Sequence, residues 1–189
     1  MRAFIGLPVE DDLADLALSL GAAIPGPGIR PVPEERLHVT LAFLGEIPER
    51  AVAPLAEEMA ALEDWAVPLT PSGIGTFGKG DRVRSIHIRL AETPELMRLQ
   101  ARVERMLEGL GLPFERRRFT PHVTVARRAE HPLTEDQARW IAGQGDFEDL
   151  EGWGERLVLY RSHLREEGPI YTPIVDVPLA AMDADSWTA

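Results

Sequence analysis

A histidine and a threonine separated by one residue occur twice in this 189-residue chain, as His38-Val39-Thr40 and as His122-Val123-Thr124. Side chains of an extended strand alternate faces, so each imidazole shares a face with its threonine hydroxyl while the valine between them points the other way. Two imidazoles brought together can move protons in opposite directions, one taking a proton from water and the other giving one to a departing oxygen. Histidine suits both roles because its unperturbed pKa is about 6.5, and positioned proton transfer of this kind contributes ~10²–10⁴-fold in rate. The threonine hydroxyls would hold the non-bridging oxygens of a phosphate, and arginine would balance the charge that builds in the transition state. That chemistry is displacement at a phosphodiester, and it needs no metal and no cofactor.

Other chemistries fit less well. The chain has no cysteine, which removes disulfides, thiolate nucleophiles and cysteine-containing zinc sites together. No serine sits in an elbow-like glycine context, and the two threonines lie on the same strands as the imidazoles, which disfavours a nucleophilic triad. Neither motif has a third histidine or a carboxylate nearby, so a metal ligand set stays incomplete unless a distant acid completes it. His87, His131 and His163, taken singly, read as structural hydrogen-bonding residues.

The formal charge is −11, which argues against a protein that coats nucleic acid with a uniformly basic surface. The basic residues are nonetheless clustered. Nineteen of the 20 are arginine; "ERRRF" (115–119) and "ARR" (126–128) bracket the second histidine motif, and Lys79, Arg82 and Arg84 form a third group. Two clusters flanking one motif point to an anion site. Acids appear by position 10, where a signal peptide would need its apolar stretch, and no run of 18 apolar residues occurs. The expectation is a soluble, cytoplasmic monomer that does not engage membrane.

The elements that must position these residues follow from periodicity. Strands are expected at 2–9, around each histidine motif (the second over about 118–127), at 84–91 and in the two C-terminal runs 154–164 and 171–179, with short extended pieces within 66–77. Helices are expected from Glu10 to about Gly21, from Pro48 to about Leu62 and from Thr134 to Gly143. The stretch from Thr93 to Leu110 predicts an amphipathic helix burying Leu96, Leu99, Val103, Met106, Leu107 and Leu110. A histidine strand, a short polar loop and a proline-led helix occur twice, with Pro48 and Pro132 each ten residues beyond a motif histidine. The expectation is therefore an α+β, bilobal, pseudo-twofold architecture forming a single domain over residues 1–180, with 181–189 as a tail. Strict alternation puts Phe43 with the core residues and Arg128, rather than Arg127, on the His122 face. Phe77, in the glycine-rich loop "GIGTFGKGDR" (73–82), is a candidate for stacking on a terminal base. That loop lacks the Walker pattern.

The segments "HVTLAFLG" (38–45), "FTPHVTVAR" (119–127) and "LYRSHLREEGPIYTPI" (159–174), in this order, resemble the two-histidine phosphoesterase superfamily, and within it the RNA 2',3'-cyclic phosphodiesterases also described as 2'-5' RNA ligases. The resemblance implies two lobes, each an antiparallel sheet backed by helices, that face each other across a cleft. It implies His38 as proton donor to the leaving ribose oxygen, His122 as acceptor from water, Thr40 and Thr124 as phosphate ligands, and an arginine after the second motif. That arginine falls on Arg127, with Arg128 as the rival that alternation prefers. The implied substrate is RNA with a 2',3'-cyclic phosphate end, or a small cyclic nucleotide, opened to a 2'-phosphate. Two alternatives stand beside it: ligation, the reverse reaction through the same transition state, and a non-catalytic module that binds RNA ends or nucleotides. Tyr160 and Ser162 belong to the third segment, but alternation also allows them a structural role.

Overall fold

In the computed structural model, which describes residues 1–78, 83–128, 132–145, 147, 150–164 and 168–181, two antiparallel sheets carry one histidine motif each. The chain runs β1 (Arg2–Pro8), α1 (Asp11–Ala23), β2 (Ile29–Pro31), β3 (His38–Glu46), α2 (Val52–Ala60), β4 (Val67–Leu69), β5 (Pro71–Phe77) and β6 (Ser85–Leu90). It continues with α3 (Pro94–Gly109), β7 (His122–Arg128), α4 (Glu135–Gly143), β8 (Gly152–Gly154), β9 (Arg156–His163) and β10 (Ile170–Pro178). One sheet has the order β10-β9-β1-β3 and the other β2-β7-β6-β5, while β4 and β8 form a small ribbon.

The repeat seen in the sequence is real at the level of topology: strand, helix, histidine strand and helix recur as β1-α1-β3-α2 and β6-α3-β7-α4. The halves are also interlocked. β5, from the first half, pairs with β6, and β9, from the second half, pairs with β1. Each sheet is thus completed by two strands from the other half, β9 and β10 in the first and β2 and β5 in the second, which ties the two histidine strands into one framework.

Local signals account for the helices. Thr93 caps α3 by accepting from the Leu96 amide, Pro94 opens its first turn, and Leu96, Leu99, Val103, Met106 and Leu107 are buried as expected. Leu110 closes the stripe only partly buried. At α4, Thr134 and Gln137 form a reciprocal capping box. The buried Gln137 side chain also donates to the carbonyls of Pro25 and Pro27, pinning the Pro/Gly loop that precedes β2.

Several boundaries differ from expectation. The proline-led turn after the first motif is 3₁₀ over Glu49–Ala51, and the helix proper stops at Ala60 rather than Leu62. The second histidine strand begins at His122; residues 118–121 are not strand, and the Pro121 carbonyl still accepts from the Leu90 amide. β2 and β8, three residues each, carry too little alternation to be legible in sequence. Lys79, Arg82, His131 and residues 182–189 of the expected tail lie outside the described residues.

Candidate active site

The two histidines are held in the same way. His38 Nδ1 lies 2.7 Å from the Arg36 carbonyl oxygen, and His122 Nδ1 lies 2.7 Å from the Thr120 carbonyl oxygen. A carbonyl only accepts, so both Nδ1 atoms carry the proton. This fixes the tautomer and leaves each Nε2 as the atom that exchanges protons. The identical bond, made to the residue two positions upstream, is the pseudo-twofold expressed at the level of single atoms.

Each strand breaks its alternation just after the threonine. Between β1 and β3, Ile5 pairs with Ala42 and Gly6 with Thr40, so Leu41 is an extra residue. Between β6 and β7, Ile86 pairs with Ala126 and His87 with Thr124, so Val125 is the extra one. Such bulges turn the following side chain onto the opposite face. Consecutive residues are accordingly buried, Leu41 with Ala42 and Val125 with Ala126. The Val125 carbonyl at the bulge accepts from the Val32 amide, so it is not left unpaired.

These bulges decide which face two of the following side chains emerge on. Arg127 emerges on the face of His122 and Thr124, where its guanidinium donates to the Tyr171 hydroxyl at 3.4 Å and its charge bears on both His38 and His122. Arg128, which strict alternation favoured, instead directs its guanidinium to the Val83 and Pro132 carbonyls and to Gln137, though it also reaches the rim of the His38 cavity. Phe43 packs as expected, partly buried against the Phe4, Val158 and Tyr160 cluster, but from the opposite face of the strand for the same reason. It emerges beyond the Leu41 bulge onto the His38 face and lines the cleft. Phe43 and Arg127 stand five residues after their respective histidines, an aromatic in one lobe and a cation in the other.

The cleft is divided into two cavities. One, of about 140 Å³, is lined by Thr40, Phe43, Phe77, Glu104, Arg117 and His122 among others. Its neighbour, of about 170 Å³, is lined by His38, Thr124, Tyr171 and four arginines. Each cavity therefore combines the histidine of one motif with the threonine of the other, an arrangement suited to one phosphate spanning both lobes. A wider groove of about 580 Å³ opens alongside, between Phe43, Phe114, Arg127, Ser162 and Tyr171.

Aromatic rings seat both imidazoles. His38 lies against Phe4, with centroids 4.8 Å apart, and meets Tyr171 edge-on at 5.1 Å. Tyr160 stacks on Phe4 at 4.9 Å and lies 6.1 Å from His38, so the three rings form one cluster; burial pushes the Tyr160 hydroxyl up to about 12. On the other side, His122 meets Phe77 edge-on at 4.6 Å and His87 at 5.1 Å. Phe77 stacks on His87 at 4.3 Å, so one face of this aromatic is already covered from within. His163 ends β9 at an exposed position away from both motifs.

Burial dominates the electrostatics. It pulls His38 down to about 4; the Arg36 carbonyl opposes this, and the neighbouring His122 and Arg127 add to it. His122 also falls below its ordinary value through burial, opposed by the Thr120 carbonyl and reinforced by Arg117 and Arg127. In the free protein both imidazoles are therefore neutral at pH 7, and an anion between them restores the proton-holding power that burial removes. His87, read in sequence as a structural residue, is buried down to about 4 as well, and its Nδ1 has no hydrogen-bond partner among the described residues. It packs directly behind His122. Its position opposite Thr124 in the register is a tertiary fact with no local sequence signal. No group of three or more histidine, aspartate or glutamate side chains that would hold a metal ion occurs among the described residues.

Comparison with known proteins agrees with this geometry. A family model described as the 2'-5' RNA ligase superfamily matches residues 16–166. An RNA 2',3'-cyclic phosphodiesterase of Geobacillus stearothermophilus is 35% identical over 152 residues, which cover 78% of this chain and 47% of that protein, so the chain spans about half of that relative's length. An RNA 2',3'-cyclic phosphodiesterase of Aeropyrum pernix is 30% identical over 157 residues, covering 82% of this chain and 89% of the relative. The crystal structure of a Thermus thermophilus protein superposes with a TM-score of 0.80 at 26% identity, over 97% of this chain and 100% of that one. Two bulged histidine strands in interlocked sheets and a sequence match over most of the chain lead to one assignment: the chain belongs to the 2'-5' RNA ligase superfamily.

Proposed function

We propose that this protein hydrolyses 2',3'-cyclic phosphodiester ends of RNA, or small cyclic nucleotides, to 2'-phosphomonoesters without a metal ion or cofactor. The observation that carries the reading is the pair of matched Nδ1 bonds to the Arg36 and Thr120 carbonyls, which leaves two Nε2 atoms for proton exchange. The names of the relatives supply the substrate class.

In the proposed reaction His122 Nε2 takes a proton from water as the water oxygen bonds to phosphorus. The bond from phosphorus to the ribose 3' oxygen breaks, and that oxygen takes the Nε2 proton of His38. The product keeps the phosphate on the 2' oxygen; proton exchange with solvent then resets the two imidazoles. Thr40 and Thr124 hold the non-bridging oxygens, and Arg127 balances the added charge. His38 must be protonated to act as donor, whereas burial holds it neutral at pH 7 in the free protein. The negative charge of the bound diester supplies the counterweight, so the donor is loaded as substrate binds.

Ligation uses the same displacement with the 5'-hydroxyl of a second RNA end in place of water: that oxygen bonds to phosphorus as it gives its proton to His122, and the 3' oxygen leaves with the proton of His38. Water at about 55 M favours hydrolysis unless that second RNA end is held in place. A cytoplasmic monomer is part of the proposal; separately, no helix among the described residues is long and apolar enough to cross a membrane. The test is a short RNA ending in a 2',3'-cyclic phosphate, incubated with the protein in excess EDTA. Conversion to a 2'-phosphate end is expected. Loss of activity on chelation, restored by a divalent ion, would overturn metal independence, and an exclusively 3'-phosphate product would reverse the orientation of the ribose.

A further inference from the structure

The two cavities of the cleft differ in charge. In the cavity that holds His122, Glu104 and Glu115 stand beside Arg117 and Arg118, and both arginines are paired, Arg117 with Glu115 at 3.6 Å and Arg118 with Glu92 at 3.0 Å. In the cavity that holds His38, the described lining contains Arg30, Arg36, Arg127 and Arg128 and no carboxylate. Arg36 donates to the Pro169 carbonyl, a neutral partner that leaves its charge uncancelled. Among the described residues, neither Arg30, Arg36 nor Arg127 forms an ion pair. In a chain of net charge −11, such a local excess of cations is a standing electrostatic cost.

The register sharpens the point. Arg30 on β2 is directly opposite Arg127 on β7, so two guanidinium groups rise side by side from the same face of the sheet. Like charges placed directly opposite on neighbouring strands are destabilising, and an anion bound between them removes the penalty. Arg127 is the group assigned to the reacting phosphate, whereas Arg30, on the neighbouring edge strand β2, is not engaged by that assignment; both are exposed.

We infer that the arginine-lined cavity beside His38 is a subsite for a second phosphate, the one on the 5' side of the terminal ribose. This rests on the proposed roles of the histidines. In an in-line displacement the attacking water and the leaving oxygen lie on opposite sides of phosphorus, so water belongs with His122 and the ribose with His38. The ribose then directs its 5' carbon, and whatever phosphate that carbon bears, toward Arg30 and Arg36. The enzyme consequently selects cyclic ends that carry an upstream phosphate, as an RNA chain does, over bare nucleoside cyclic phosphates.

Two measurements test it. The first compares kcat/KM for adenosine 2',3'-cyclic phosphate with and without a 5'-phosphate. The expected preference for the 5'-phosphorylated substrate is about tenfold or more, the size of one charge-assisted contact; it falls toward unity in Arg30→Ala and is largely kept in Arg30→Lys. The second measures calorimetric binding of adenosine 2'-monophosphate and adenosine 2',5'-bisphosphate, which needs no turnover. Tighter binding of the bisphosphate, lost in Arg30→Ala, supports the subsite even if neither cyclic substrate is hydrolysed, a result that would sink the activity alone. Equal kcat/KM for the two cyclic substrates together with equal binding of the two monoesters overturns the subsite and leaves the activity standing. A loss in Arg30→Ala of the same size for both cyclic substrates also overturns it, because a structural defect does not distinguish them.

Discussion

Gly75→Ala is the perturbation whose effect on the site can be worked out most directly. A methyl group at Gly75 would lie 2.6 Å from His87 Nε2, 3.2 Å from His87 Cε1 and 3.1 Å from Arg89 Cγ, whereas ordinary contact begins at 3.4 Å. The His87 ring must therefore retreat by about 0.8 Å. It has little room, being stacked on Phe77 at 4.3 Å and set against His122 at 5.1 Å. His122 is held in turn by its 2.7 Å bond to the Thr120 carbonyl, and that bond is what aims its Nε2. A displacement approaching 1 Å at a reacting group can cost on the order of 10²-fold in rate, while overpacking costs about 1–3 kcal/mol of stability. The expected result is a fall in kcat of that order on a cyclic-phosphate substrate, with a protein that still melts cooperatively. The cause is isolated by repeating the substitution in a His87→Ala background, where the clashing ring is absent and the second change should alter kcat by only about twofold. Turnover of Gly75→Ala within about twofold of the parent, or an equal loss in both backgrounds, would refute the idea that His87 positions His122.

Three further outcomes are expected. Arg127→Ala should lower kcat by on the order of 10²-fold and move the whole pH–rate profile upward, because its charge depresses both motif histidines; Arg128→Ala, which loses bonds to the Val83 and Pro132 carbonyls, should cost stability more than turnover, and the opposite ranking would reverse the assignment. Stability should fall in acid: His38 and His87 titrate at about 4 in the fold but near ~6.5 when unfolded, so the unfolded chain binds more protons between those values. The contribution is complete above the unfolded value and lost as pH drops toward 4, on the order of a few kcal/mol; urea midpoints that do not change between about pH 7 and about pH 5 would count against it. Finally, fragments 1–83 and 84–189 should each fail to fold alone, because β5 and β9 complete the opposite sheets, and a cooperative melt from either fragment by circular dichroism would contradict a single domain.

Much of the site is legible in the sequence because it is written twice. Alternation around His38 and His122 places each threonine beside its imidazole, and the 3.6-residue period of α3 picks out five of its buried residues. What alternation misses are the bulges at Leu41 and Val125, which contain no glycine and leave only a faint trace: two apolar residues in succession at the same offset from each histidine. That one-residue insertion decides whether Phe43 and Arg127 face the core or the cleft. The exchange of β5 and β9 between sheets is not legible either, since it rests on pairings between residues far apart in the chain. His87 reads as structural for the same reason, because its neighbours Phe77 and His122 come from other strands.

Catalysis by two imidazoles with opposite proton states in one cleft is tested most directly by the pH dependence of kcat in the single-histidine variants. The parent enzyme should show a bell-shaped profile. His38→Ala, lacking the donor, should lose the alkaline limb, and His122→Ala, lacking the acceptor, the acidic limb. Each variant should be slower by on the order of 10²-fold or more, and the double variant should lose far less than the product of the two losses, because the two groups act as a unit. If either single variant turned over a cyclic-phosphate RNA end at close to the parent rate, or if both kept the bell unchanged, paired acid–base catalysis by His38 and His122 would be contradicted.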